Sequence, residues 1–191
     1  MVAKLEKINM REVLSYLGCR GEAPQEIEQG ILSAAELIMK TATPRLAYKI
    51  TDYDSVLSQG LIAGEDIVRL ISGCGQIVIF GATLGTAVDT MLSRLQIRDM
   101  AQAVIFDAVA SSAIENVCDN FCRDIAAEYG EITARFSAGY GDYPFSMQWR
   151  LSEALCLEKS IGITLNDSGL MLPQKSVTAI FGIRGRRTGS E

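Results

Sequence analysis

Apolar positions recur along the 191-residue chain with two periods, and the switches between them mark its elements. Asn9, a good N-cap, opens a short helix, with Glu12 three residues on as an imperfect capping box. Gly18 and Gly21 stop it. Pro24 starts a second helix that runs to about Lys40, with Ile27, Ile31, Leu32, Leu37 and Ile38 near helical spacing. In "PRLAYKIT", Leu46, Tyr48 and Ile50 alternate with Ala47 and Lys49, which predicts a strand. "GEDIVRLISG" reads as a short helix between glycines, and "QIVIFGATLG" as an apolar strand entering a loop. Helices follow over about Leu84–Leu95 and Arg98–Tyr129. "EITARFS" reads as a strand leading into "RFSAGYGDYP", and Pro144 begins a helix to about Lys159. "GITLN" and "KSVTAIFGI" are the last strands. The order has no strict β-α-β alternation, so the expected class is α+β in a single domain over 1–191. A solvated tail is expected from about 184 to 191, carrying Arg184, Arg186 and Arg187.

Composition narrows the function classes. A net charge of -5 argues against nucleic acid as the main partner, because phosphate binding needs a basic face. No apolar run is long enough for a membrane span. The charged start "MVAKLEKINMREVL" reads as helix rather than secretory signal, and the five cysteines are odd in number. Together these predict a reduced, cytoplasmic protein. Absence of histidine removes Ser-His and Cys-His nucleophile pairs, imidazole bases and imidazole metal ligands. Cys118 and Cys122 lie at i, i+4, but no second pair completes a zinc site, so they read as small packing residues. No catalytic residue and no metal site is expected.

Two features carry chemistry. In the long helix Ile114, Val117, Phe121 and Ile125 form an apolar stripe. Glu115 lies on the adjoining row with Ser111, Cys118 and Cys122, which cannot pair with its charge. A part-buried glutamate there wants a donor: either a structural partner such as Arg135, or a ligand. In the loop, Arg135 offers a planar fork that fits a carboxylate. The backbone of Ser137 and Gly139 is free to bind, and Tyr140 offers a ring face suited to a cation. The set suits a zwitterionic, cationic ligand; the alternative is a tight turn stapled by the arginine. "FGATLGTAVD" could cradle a phosphate, but it has neither G-x-G-x-x-G nor GK[ST].

"RFSAGYGDYP" followed by "IGITLNDSGLMLPQKSVTAIFG" resembles the activation domain of cobalamin-dependent methionine synthase, and more closely its stand-alone form. "INMREVLSYLGCRG", "GATLGTAVD" and "RDMAQAVIFDAVASSAIE" carry the same resemblance, in order, over nearly the whole chain. It implies helices packed around a bent, mainly antiparallel sheet. It also implies an accessory subunit that binds S-adenosylmethionine during reductive reactivation of a methionine synthase or related corrinoid methyltransferase. A corrinoid-binding partner would carry the cobalamin, and flavodoxin or ferredoxin would supply the electron. By the resemblance Arg135 matches the ligand's carboxylate partner, Ser137 a backbone contact, Gly139 and Tyr140 the Gly-Tyr of the motif, and Glu115 an acidic contact. Asn9 falls where the family usually has an aspartate that holds the ligand's ammonium, and it is uncharged. That departure keeps open a docking module that uses no S-adenosylmethionine.

Overall fold

The computed structural model describes residues 2–19 and 23–185. Gly21, Arg186 and Arg187 lie outside them. The helices are α1 (Met10–Tyr16), α2 (Gln25–Thr41), α3 (Tyr53–Ser58), α4 (Glu65–Ile71), α5 (Thr86–Arg98), α6 (Met100–Tyr129), α7 (Met147–Leu155) and α8 (Leu157–Ile161). The strands are β1 (Arg45–Thr51), β2 (Gln76–Thr83), β3 (Glu131–Ile132), β4 (Thr164–Leu165), β5 (Met171–Leu172) and β6 (Ser176–Gly185).

A wholly antiparallel sheet in the order β1-β2-β6-β3 forms the middle layer. β2 and β6 are buried along most of their length because both faces are covered. Val78, Phe80 and Ala82 of β2, with Ala179, Phe181 and Ile183 of β6, pack against α1, α2, α5 and α6. Their alternates Ile77, Ile79 and Ile180 pack against α3, α4, α7 and α8. Period-2 side-chain alternation thus feeds two cores from one sheet. The α+β expectation holds.

Four local expectations change. "EITARFS" pairs only at Glu131–Ile132 and, after a register shift, at an isolated bridge between Phe136 and Ile180. In between, Thr133 holds Gly182 through its own amide and hydroxyl, both at 2.9 Å, and interrupts the ladder. The helix expected from Pro144 to Lys159 divides at Cys156, whose backbone is left-handed (φ 48°). Helix α3 is an addition: Asp52 caps it, accepting from the Ser55 amide at 2.7 Å. Arg184 and Gly185, expected in the tail, complete β6, where Arg184 pairs with Glu131 at 3.3 Å.

The phosphate-cradle idea meets internal partners. The Leu84 amide donates to the Lys175 carbonyl at 3.0 Å and the Gly85 amide to Thr83 Oγ1 at 3.1 Å. Gly85 is needed for its backbone, at φ 87°.

Candidate functional site

The site is built where the loop after β3 runs between α6 and the edge of β6. Phe136 exchanges two backbone hydrogen bonds with Ile180, at 2.8 and 2.9 Å, which fixes where Arg135 and Ser137 project. The rest of the loop is tied down from below. Tyr143 is buried and its hydroxyl donates to the Leu61 carbonyl at 2.7 Å. Asp142 caps α4 from across the chain, accepting from the Glu65 and Asp66 amides at 2.5 and 3.1 Å. Gly139 takes φ 93°, and its amide donates to the Tyr143 carbonyl at 2.9 Å. The second tyrosine and the aspartate of "AGYGDYP" are therefore anchors. The first tyrosine, Tyr140, stays 68% exposed.

On α6 the Ile114, Val117, Phe121 and Ile125 stripe is buried as expected. Glu115 is half-buried at the margin. Arg135 reaches over to α6, and its Nη2 donates to Glu115 Oε2 and to Asp119 Oδ1, both at 2.8 Å. Its Nη1 is buried and has no hydrogen-bond partner among the described residues. A guanidinium presents its donors as a fork, so one prong is occupied by protein carboxylates and the other is buried without an acceptor. Glu115, Arg135, Phe136, Ser137, Tyr140, Val177 and Ala179 line one cavity of about 350 Å³ at this point. Two hollows of about 420 and 450 Å³ lie elsewhere, between α1, α5 and α6 and around α7–α8, but neither contains a guanidinium.

Four of the six expected residues, Glu115, Arg135, Ser137 and Tyr140, meet in that cavity. Gly139 shapes the loop without lining it. Asn9 is not among the lining residues. Its side chain accepts from the Arg11 amide at 3.2 Å and so caps α1, while its own amide donates to Ser112 Oγ at 3.2 Å. The capping box does not close. Glu12 instead receives the Ser112 hydroxyl at 2.7 Å and the Tyr16 hydroxyl at 3.2 Å.

Sequence reasoning missed Asp119, which holds Arg135 at the site. Asp119 had a signal, since it stands one turn beyond Glu115 on the same helix face.

Burial pushes the Glu115 carboxyl above its ordinary value; Arg135 opposes this, while Asp119 and Glu12 add to the rise. Burial also raises both cysteine thiols of the row, Cys122 to about 11. They are packing groups beneath the site. No cluster suited to a metal ion occurs among the described residues.

No protein-family model and no curated protein matches the chain. Among solved structures it is similar to the crystal structure of the MetH reactivation domain bound to AdoHcy. The TM-score is 0.63 at 15% identity, over 99% of this chain and 82% of that one. The fold is therefore of the methionine synthase activation-domain type. Among the described residues no helix is long and apolar enough to cross a membrane.

Proposed function

We propose that this chain binds S-adenosylmethionine and serves as an accessory subunit in the reductive reactivation of a cobalamin-dependent methionine synthase or related corrinoid methyltransferase. The observation that carries the reading is the unpartnered Nη1 of Arg135 beside a cavity also lined by Glu115, Ser137 and Tyr140. A free guanidinium prong suits the ligand's α-carboxylate. The carboxylates beside it suit an ammonium or sulfonium, and the Tyr140 ring can face a cation. Ser137 would contribute a backbone contact, with Gly139 shaping the loop that presents it and Asn9 remaining the cap of α1. The fold's likeness to a reactivation domain with AdoHcy bound supports the same class of ligand.

A partner protein would carry the corrinoid, since the chain has no histidine to ligate cobalt. An electron from a donor such as flavodoxin or ferredoxin would reduce the cobalt. The methyl group of S-adenosylmethionine would then pass to it, leaving S-adenosylhomocysteine. The chain would thus be a component of a methyltransferase, working in the cytoplasm, where its five cysteines stay as free thiols.

A thermal shift with S-adenosylmethionine tests this. At about 100 times the dissociation constant, binding to the native state stabilises by about 2.7 kcal/mol. For a chain of this size that is a rise of roughly 5–11 °C in midpoint. The rise is expected in the wild type and should vanish in Arg135→Ala. Arg135→Ala also strips Glu115 and Asp119 of their cation, so its ligand-free midpoint is the control. No rise at millimolar ligand would favour the second reading, a module that docks a corrinoid protein without S-adenosylmethionine. The feature behind that reading is Asn9, which is uncharged and already occupied in capping α1.

A further inference from the structure

Residues 3–9 run extended into α1 without forming a strand of the sheet. The Ala3 amide donates to the Pro44 carbonyl at 3.1 Å, beside an isolated bridge between Val2 and Arg45. Beyond that point the segment lies along α6 and is held by side chains. Ser112, Asn116 and Asn120 stand one turn apart on α6, and all three are buried. Asn120 Nδ2 donates to the Lys4 carbonyl at 3.1 Å. Asn116 Oδ1 accepts from the Glu6 amide at 3.0 Å and from the Lys7 amide at 3.3 Å. Ser112 Oγ accepts from the Asn9 amide at 3.2 Å. Asn120 Nδ2 also donates to Asn116 Oδ1, at 3.2 Å, so the holds are linked to one another.

Little else fastens the segment. Leu5 and Ile8 are only partly buried against the core. The ion pairs Lys4–Asp124 and Glu6–Arg123, at 3.4 and 3.7 Å, are exposed, and exposed pairs hold weakly. The seat is also imperfect. Ala3, Lys4, Val117, Asn120 and Phe121 border a cavity of about 40 Å³. Asn120 Oδ1 is buried with no hydrogen-bond partner among the described residues. A buried acceptor without a donor opposes closure, and water satisfies it once the segment lifts. Segments with few apolar contacts and few backbone bonds are the ones that open locally.

We propose that residues 3–9 are a strap that opens from α6 as one unit while the rest of the fold stays closed. The inference is independent of the S-adenosylmethionine reading. Opening takes the Asn9 amide off Ser112, the hold on the chain just before α1, and bares the polar row that stands beside Glu115 and Asp119 on α6.

Hydrogen exchange of the full chain, read amide by amide by NMR, tests this on the wild type, Asn116→Ala and Ser112→Ala. In the wild type the amides of Ala3, Glu6, Lys7 and Asn9 should show protection at least about a hundredfold below that of the paired amides of β2. Asn116→Ala should speed Ala3 and Asn9 by roughly tenfold, although their own acceptors, Pro44 and Ser112, are untouched. Ser112→Ala, at the other end of the row, should do the same to Ala3, Glu6 and Lys7. The β2 amides should stay within about twofold of wild type in both variants. Strap amides as protected as those of β2, or β2 amides that speed up by the same factor as the strap, would show that it opens only with the whole fold and overturn the proposal. Faster exchange confined to Glu6 and Lys7 in one variant and to Asn9 in the other would overturn it too, since the bonds would then break singly.

Discussion

Arg135 and Glu115, twenty residues apart in sequence, meet at 2.8 Å through Nη2 and Oε2. The contact is the structural pairing considered for a part-buried glutamate, and it also readies the arginine. With Nη2 fixed to Glu115 and Asp119, the guanidinium is held in one orientation and its buried Nη1 has no acceptor. A preset fork loses less freedom on binding than a mobile one.

Asp119 is the more exposed of the two acids, 58% against 35% for its side chain, so Asp119→Asn separates positioning from stability. Exposed ion pairs contribute up to about 1 kcal/mol. The melting midpoint should move little. S-adenosylmethionine affinity should fall by about two- to fivefold as Arg135 gains freedom, and calorimetry on the two proteins reads both quantities.

Tyr143 and Tyr140 should separate cleanly. Tyr143→Phe leaves the buried Leu61 carbonyl without its 2.7 Å donor, at a cost of about 1–3 kcal/mol to folding. Tyr140→Phe, at an exposed position, should leave chemical denaturation unchanged within about 0.5 kcal/mol. Urea midpoints that move equally would remove the distinction between anchor and ligand-facing tyrosine.

Alkaline pH should destabilise the protein through the cysteine row. Burial raises the Cys122 thiol from 9.0 to about 11. Between those values the unfolded chain has released the proton and the folded one still holds it. Stability therefore falls as pH rises across that window, and none is lost below it. Cys122→Ala should flatten the slope between about pH 9 and 11 in denaturation midpoints.

Gly182 in β6 packs against Cys74, where a β-carbon would stand 2.8 Å from the cysteine's own. The backbone there is extended, so the objection is purely steric. Gly182→Ala should cost about 1–3 kcal/mol through overpacking, visible as a lowered thermal midpoint. An unchanged midpoint would mean that α4 and its following turn can shift freely off the sheet.

Much of this was legible in the residues. The 3.6-residue stripe Ile114–Val117–Phe121–Ile125 defined α6 and placed Glu115 at its margin. The apolar run "QIVIFGATLG" marked β2 as a strand, and its burial on both faces explains why it lacks alternation. The elements that misled were those settled by single contacts. Thr133 interrupts β3 through Gly182, a residue 49 positions away. Cys156 breaks a helix that local propensity would continue, and Asp52 starts one in a short segment with little periodicity.

The site divides in the same way. Sequence by itself determined which residues could bind a carboxylate or a cation, since that follows from side-chain chemistry: Arg135, Glu115 and the Ser137–Tyr140 backbone turn. Only the tertiary structure decided which of their donors and acceptors are free. It set Asp119 beside Arg135, left Nη1 unpaired, turned Asn9 into a cap and brought Glu12 to α6 through Ser112. Those outcomes depend on how α1, α6 and the loop pack together, and packing between segments a hundred residues apart leaves no local pattern in the chain.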